Sequence, residues 1–125
     1  MSMDMLTKII IELPEFDTGQ YEGFEFRMSD GDAKLTLLIC ELPTINMEFS
    51  RIRWHQFTAL PNCSVEMIQT AYFRLVEITD SAALRLFIGG DRSTLRAYNE
   101  LHHYRIFLDE SGCHEIFAEV ARLAT

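Results

Sequence analysis

Lysine is nearly missing from this chain: 125 residues hold two, against nine arginines. Arginine suits fixed bidentate ion pairs better than general solubility, so the imbalance leans towards specific pairing. Three prolines and six glycines are too few for a disordered or low-complexity chain. With 48% hydrophobic and 24% charged residues, the composition is that of one ordinary globular domain spanning 1–125. Cys40, Cys63 and Cys113 are odd in number, widely spaced and outside any CxxC pair. That argues against a disulfide framework or a structural zinc site and for reduced thiols that pack as small hydrophobes. Cys63, in "PNCSVEM", stands beside an expected helix start, where the helix dipole would lower a thiol pKa.

Long apolar runs are also lacking. The opening "MSMDMLTKIIIELP" reaches only "III", far short of the roughly 20 residues that span a bilayer. It carries an acid where an export signal needs positive charge, so a soluble cytoplasmic protein without a membrane partner is expected. G-x-S-x-G, G-x-G-x-x-G, P-loop and HExxH motifs are absent. "IGGD" at 88–91 and "SDGD" lack the context of a phosphate cradle or a calcium loop and read as turns. No catalytic residue, metal or cofactor is expected.

What is plentiful is acid: the formal charge is −8, divided as −7 over residues 1–50, +2 over 51–108 and −3 over 109–125. Such a surface repels nucleic acid, which is bound chiefly by neutralising phosphates, so no nucleic-acid partner is expected.

Two hairpins are legible. In "GFEFRMSDGDAKLTLLICEL" the Asp-Gly pair is a type I′ turn that sets Phe26 against Leu35 and Phe24 against Leu37. The opposite face carries Glu25, Arg27, Lys34 and Thr36. In "LHHYRIFLDESGCHEIFAEVARL" a loop of Glu110, Ser111 and left-handed Gly112 would pair Ile106 with Ile116 and Tyr104 with Ala118. His103 then opposes Glu119, with Arg105 diagonal to Glu115 and Glu119. Between the hairpins, "INMEFSRIRWHQFTAL" reads as one long strand with Phe49, Arg51, Arg53, His55 and Phe57 on one side. "LTKIIIEL" is a further strand, expected beside one of these. Helical spacing with Ser64 as N-cap predicts a helix over about 64–77, although "YFRLVEIT" also alternates as a strand. Asp80 or Ser81 would cap a second short helix through "AALRLF", stopped by Gly89 and Gly90. Residues 91–101 read as a loop or a further helical turn. The expected fold is α+β: a mainly antiparallel, curved sheet from two hairpins and a long strand, with one or two short helices on it.

His102, His103 and His114 lie close in sequence, but strand geometry puts the first two on opposite faces and about 20 Å from the third, too dispersed for one metal ion. The candidate surface is instead the polar side bearing Arg51, Arg53, His55, His103, Arg105 and Glu119. As structure it is a cross-strand salt-bridge lattice. As function it is an interface, since Phe49, Phe57, Phe107 and Phe117 share the same faces and need cover from a partner, a second copy or the chain's own helices. The segments "YFRLVEITDS" and "HHYRIFLDESGCHEIFAE" resemble small bacterial proteins, including immunity-type partners of toxins. That resemblance implies an α+β domain that binds another protein.

The expected function is therefore noncatalytic protein binding, with a basic partner steered to the acidic Glu12–Glu48 region and a homodimer compatible. The alternative is a small-ligand binder or small enzyme with a pocket on the sheet in which Arg51, Arg53, His55 and His103 receive an anion.

Overall fold

The computed structural model describes residues 7–90 and 100–124. The fold is α+β, and the described residues form nine strands in two antiparallel sheets and two short α-helices. In chain order the elements are β1 (Thr7–Glu12), β2 (Tyr21–Ser29), β3 (Asp32–Ile39), β4 (Ile45–Ser50), β5 (Trp54–Ala59), α1 (Val65–Ala71), β6 (Arg74–Ile78), α2 (Ala82–Gly90), β7 (His102–Leu108), β8 (Gly112–Ala118) and β9 (Val120–Leu123). The five-stranded sheet has the order β1-β6-β7-β8-β5 and the four-stranded sheet β2-β3-β4-β9. Among the described residues, no helix is long and apolar enough to cross a membrane.

Strand alternation builds the main core. Leu35, Leu37 and Ile39 of β3 and Ile45, Met47 and Phe49 of β4 point inward from the four-stranded sheet. They meet Leu75, Tyr104, Ile106, Leu108, Ile116 and Ala118 of the other sheet, so the two pack face to face. Phe26 opposes Leu35 and Phe24 opposes Leu37 across the Asp30-Gly31 turn, the pairs that the alternation sets together. A second, smaller cluster of Ala71, Val76, Phe107 and Cys113 lies on the far side of the five-stranded sheet, under Met67 and Ile68 of α1. β8 is therefore buried at every residue and β7 at all but its first, because both faces of each are covered.

The expected single curved sheet is in fact two, because the long strand breaks. Arg51 takes a left-handed φ of 54°, and the chain leaves β4 in one sheet to enter β5 in the other. The Ile52 amide donates to Gly31 O and the Arg53 amide to Phe117 O, so the crossing is hydrogen-bonded to both sheets. β8 and β9 cross back at the same corner, where the Glu119 amide donates to Ser50 O.

The helix expected over 64–77 ends at Ala71. Ser64 caps it, its Oγ accepting from the Met67 amide, but Phe73 has a φ of 50° and its amide donates to Phe107 O. Residues 74–78 become a strand between β1 and β7, so β1 pairs with β6 rather than with a hairpin or the middle strand. The spacing of Ile68, Tyr72, Leu75 and Val76 fits a helix, yet Leu75 and Val76 are buried on opposite faces of a sheet. Tertiary pairing overrides the local pattern here.

The second hairpin is shifted by two residues from the expected register: Tyr104 opposes Ile116, Arg105 opposes Glu115 and Ile106 opposes His114. A shift of two leaves each side chain on its expected face. Gly112 is paired with Leu108 rather than looped out, and left-handed Glu110 makes the turn. A Cβ at Gly112 would lie 2.2 Å from Thr58 O, so the close approach of β5 requires glycine there. The second helix starts as expected, with Ser81 Oγ accepting from the Leu84 amide. Of the 91–101 segment, residues 91–99 lie outside the described residues.

Candidate functional site

The expected polar stripe does not exist as one surface. Arg51 sits at the corner, its Nε donating to Glu119 Oε2 at 3.2 Å, and its amide donates to Asp32 Oδ1. The pair ties the two sheet crossings together. Arg53 is exposed beside that corner. His55 faces inward, stacked on Phe26 with ring centroids 3.9 Å apart, its Nε2 3.0 Å from His114 Nδ1. His103 and Arg105 lie on the opposite face of the same sheet, beneath the helices, and His103 opposes Phe117 rather than Glu119. Phe49, Phe107 and Phe117 are buried within the chain itself. That removes their need for a second copy as cover.

The covered face holds a chain of buried polar groups that sequence motifs did not reveal. Ser81 Oγ lies 2.7 Å from His103 Nδ1, and His103 Nε2 donates to Glu115 Oε2 at 2.9 Å. The same carboxylate oxygen accepts from Arg105 Nε and Nη2. Arg105 Nη1 stands 3.3 Å from Glu66 Oε2, an ion pair whose geometry misses a hydrogen bond. Burial alone would raise the Glu115 carboxyl, but the bonds and charges of His103 and Arg105 outweigh it and hold the pKa below the usual range.

Serine, histidine and glutamate are the residue types of an acyl-transfer triad, and here each of Ser81 and Glu115 has a second bond that serves the fold. Ser81 is 6% exposed, and its hydroxyl oxygen also caps α2 by accepting from the Leu84 amide. Glu115 is shared with an arginine. Ser81, His103 and Glu115 come from three separate elements, so local spacing carried no signal for their meeting.

The cysteines and the remaining histidines also sit in structure. Burial pushes the Cys63 thiol up, against the lowering expected from a helix dipole, and Cys113 is pushed up to about 12, first by burial and then by the Glu115 charge. His102 bonds Glu77 at 2.6 Å and pairs with Glu100. Among the described residues, no three His, Cys, Asp or Glu side chains gather around a common metal position.

A surface with room for another molecule is the outer face of the four-stranded sheet, over which no helix packs among the described residues. It forms a concavity of about 510 Å³ lined by Glu25, Arg27, Lys34, Thr36, Asn46, Glu48 and Arg122, among others. Register arranges them in rows. Glu25, Thr36 and Asn46 form one; Arg27, Lys34, Glu48 and Arg122 form the next; Ser29 opposite Asp32 lies beyond. Thr36 Oγ1 donates to Asn46 Oδ1 at 2.7 Å. Arg122 Nε donates to Glu48 Oε1 at 2.9 Å, and its Nη2 stands 2.7 Å from the same oxygen as an ion pair. Arg27 and Lys34, directly opposite each other, have no ion-pair partner among the described residues. The alternation of the first hairpin placed Glu25, Arg27, Lys34 and Thr36 on one face, while Asn46, Glu48 and Arg122 required the strand pairings.

At one end of this sheet the loops gather acid. The Cys40 amide donates to Gln20 O, and Tyr21 Oη lies 2.8 Å from Ser111 Oγ, which brings exposed Asp17, Glu41 and Glu110 to the same end.

Comparison with protein-family models, with curated proteins and with solved structures gives no match to this chain.

Proposed function

We propose that this chain is a noncatalytic interaction domain, of the immunity-like kind, that docks a predominantly basic protein on the open face of its four-stranded sheet. The observation that carries the proposal is the contrast in cover: one sheet has helices over its outer face, while the other presents a concave, charged face to solvent. Sheet faces dressed with charges need no second layer to stay soluble, but a concavity of this size offers complementary surface to a partner. The net charge of −8 and the acidic loops at one end supply steering for a basic protein.

The alternative anion pocket built from Arg51, Arg53, His55 and His103 has less support, because these residues lie on different faces of the sheets.

The test is capture from the native host at low ionic strength with wild type and with Thr36→Trp, which fills the concavity from an outward position. Wild type should recover a basic protein that is released by salt and lost with Thr36→Trp. Equal recovery by both proteins, or no basic protein at all, defeats the proposal.

A further inference from the structure

The middle row of the open face gives the occupant a more definite chemistry. Arg27 and Lys34 are directly opposite across β2 and β3. Like charges in that position repel, and natural sheets place an opposite charge there when they use the pair structurally. A carboxylate is close by, since Glu48 opposes Lys34 on its other side. Glu48, however, is paired with Arg122, whose Nε donates to Oε1 and whose Nη2 lies beside it, and Lys34 lies beyond ion-pairing distance. Two of the eleven basic side chains of a strongly acidic protein therefore converge on the concavity uncompensated.

We propose that the Arg27–Lys34 pair is a subsite for one carboxylate, supplied by an acidic side chain of the docked protein. The inference rests on the docking proposal above. Directly opposite positions on a sheet hold side-chain bases about 5 Å apart, a span that a single carboxylate bridges by accepting from both cations. The surroundings decide between one carboxylate and a polyanion. Glu25, Asp32 and Glu48 line the same concavity, so a phosphate chain would meet acids on either side of the cationic pair. A lone acid flanked by basic or neutral residues meets charges of opposite sign in each row. The partner segment is therefore basic with an acid at its centre, which reconciles a basic protein with a cationic contact point.

Two capped peptides probe this directly, Lys-Gly-Glu-Gly-Lys and the same peptide with Gln for Glu, followed by backbone-amide NMR shifts of the whole chain. The Glu peptide should shift the amides of Arg27, Lys34, Glu48 and Arg122 saturably at millimolar concentration, with the Gln peptide about tenfold weaker. Arg27→Glu should abolish the difference between the peptides without lowering Tm, because position 27 then complements Lys34. Equal binding of the two peptides overturns the subsite. So does the absence of saturable shifts at those four amides. If capture of a basic protein is still lost with Thr36→Trp in either case, the docking proposal stands and only the carboxylate subsite falls.

Discussion

The two sheets of this protein carry charge on their outer faces in opposite ways. On the five-stranded sheet, Arg105, His103 and Glu115 lie beneath helices, each held by at least one short bond. On the four-stranded sheet, Arg27 and Lys34 stand in solvent without a carboxylate to hold them. Where water is excluded, an unmatched charge costs several kcal/mol and has to be paired. Where water is present, the same mismatch costs a few tenths, and a sheet tolerates it. Dense pairing thus marks the face that holds the fold together, and sparse pairing marks the face left available.

The largest effect that can break this comparison is at Arg105. Arg105→Met removes a guanidinium that neutralises Glu115 and Glu66 while leaving both acids in place. Loss of one partner of a buried pair costs about 3–5 kcal/mol. Arg27→Met, on the open face, should change stability by less than about 0.5 kcal/mol. Urea unfolding of both variants measures the contrast, and similar losses would erase the distinction between the two faces.

A pH dependence is next in size. His114 is fully buried, and desolvation, helped by the neighbouring His55, lowers its pKa to about 3. His55 is also lowered by burial. Both rings therefore favour the neutral form in the folded state, where His55 Nε2 and His114 Nδ1 share a proton along a 3.0 Å bond between Phe24 and Phe26. The unfolded chain binds protons near pH 6.5 and the folded chain does not, so stability is complete above about 6.5 and falls as the pH drops. At pH 5 the loss from His114 alone is about 2 kcal/mol. His114→Leu should flatten the stability profile between pH 6.5 and 5; an unchanged slope would assign the acid sensitivity to other groups.

Ser81→Ala measures what Ser81 contributes to the fold. It removes the cap of α2 and the partner of His103 Nδ1, for a cost of about 1–2 kcal/mol. Ser81→Asp keeps a cap acceptor but sets a carboxylate in a buried site, so it should be less stable than Ser81→Ala. If Asp instead proved the better replacement, a carboxylate at this position would be compensated by the cap and by His103.

Much of the fold was legible because strand parity survives errors of register. The second hairpin slips by two residues, yet His103, Arg105 and Glu115 keep their common face. What the sequence concealed were changes of sheet. Arg51 and Phe73 adopt left-handed conformations that their residue types rarely favour, and each ends a run whose periodicity would otherwise continue. Those two residues split the long strand and shorten the first helix, while the pairing of His55 with Ile116 puts it on the opposite face from Arg105. The site suffered for the same reason: alternation identified Arg27 and Lys34 on one face, but Glu48 and Arg122 join them through pairings of β3 with β4 and of β4 with β9.

The smallest expected effect is the most discriminating. Arg27 is on edge strand β2, so Lys34 is its only directly opposed neighbour on that face. Arg27→Glu converts a repulsive pair into an attractive one and should stabilise the chain by about 0.2–1 kcal/mol, less as salt is added. Asp32 and Glu25 nearby oppose part of that gain, which holds it to the lower end of the range. A gain on reversing the charge shows that Arg27 does not hold the fold together, which leaves its side chain open to another contact. If thermal unfolding instead shows Arg27→Glu to be destabilising, the arginine already serves the fold and the open face loses its sign of function.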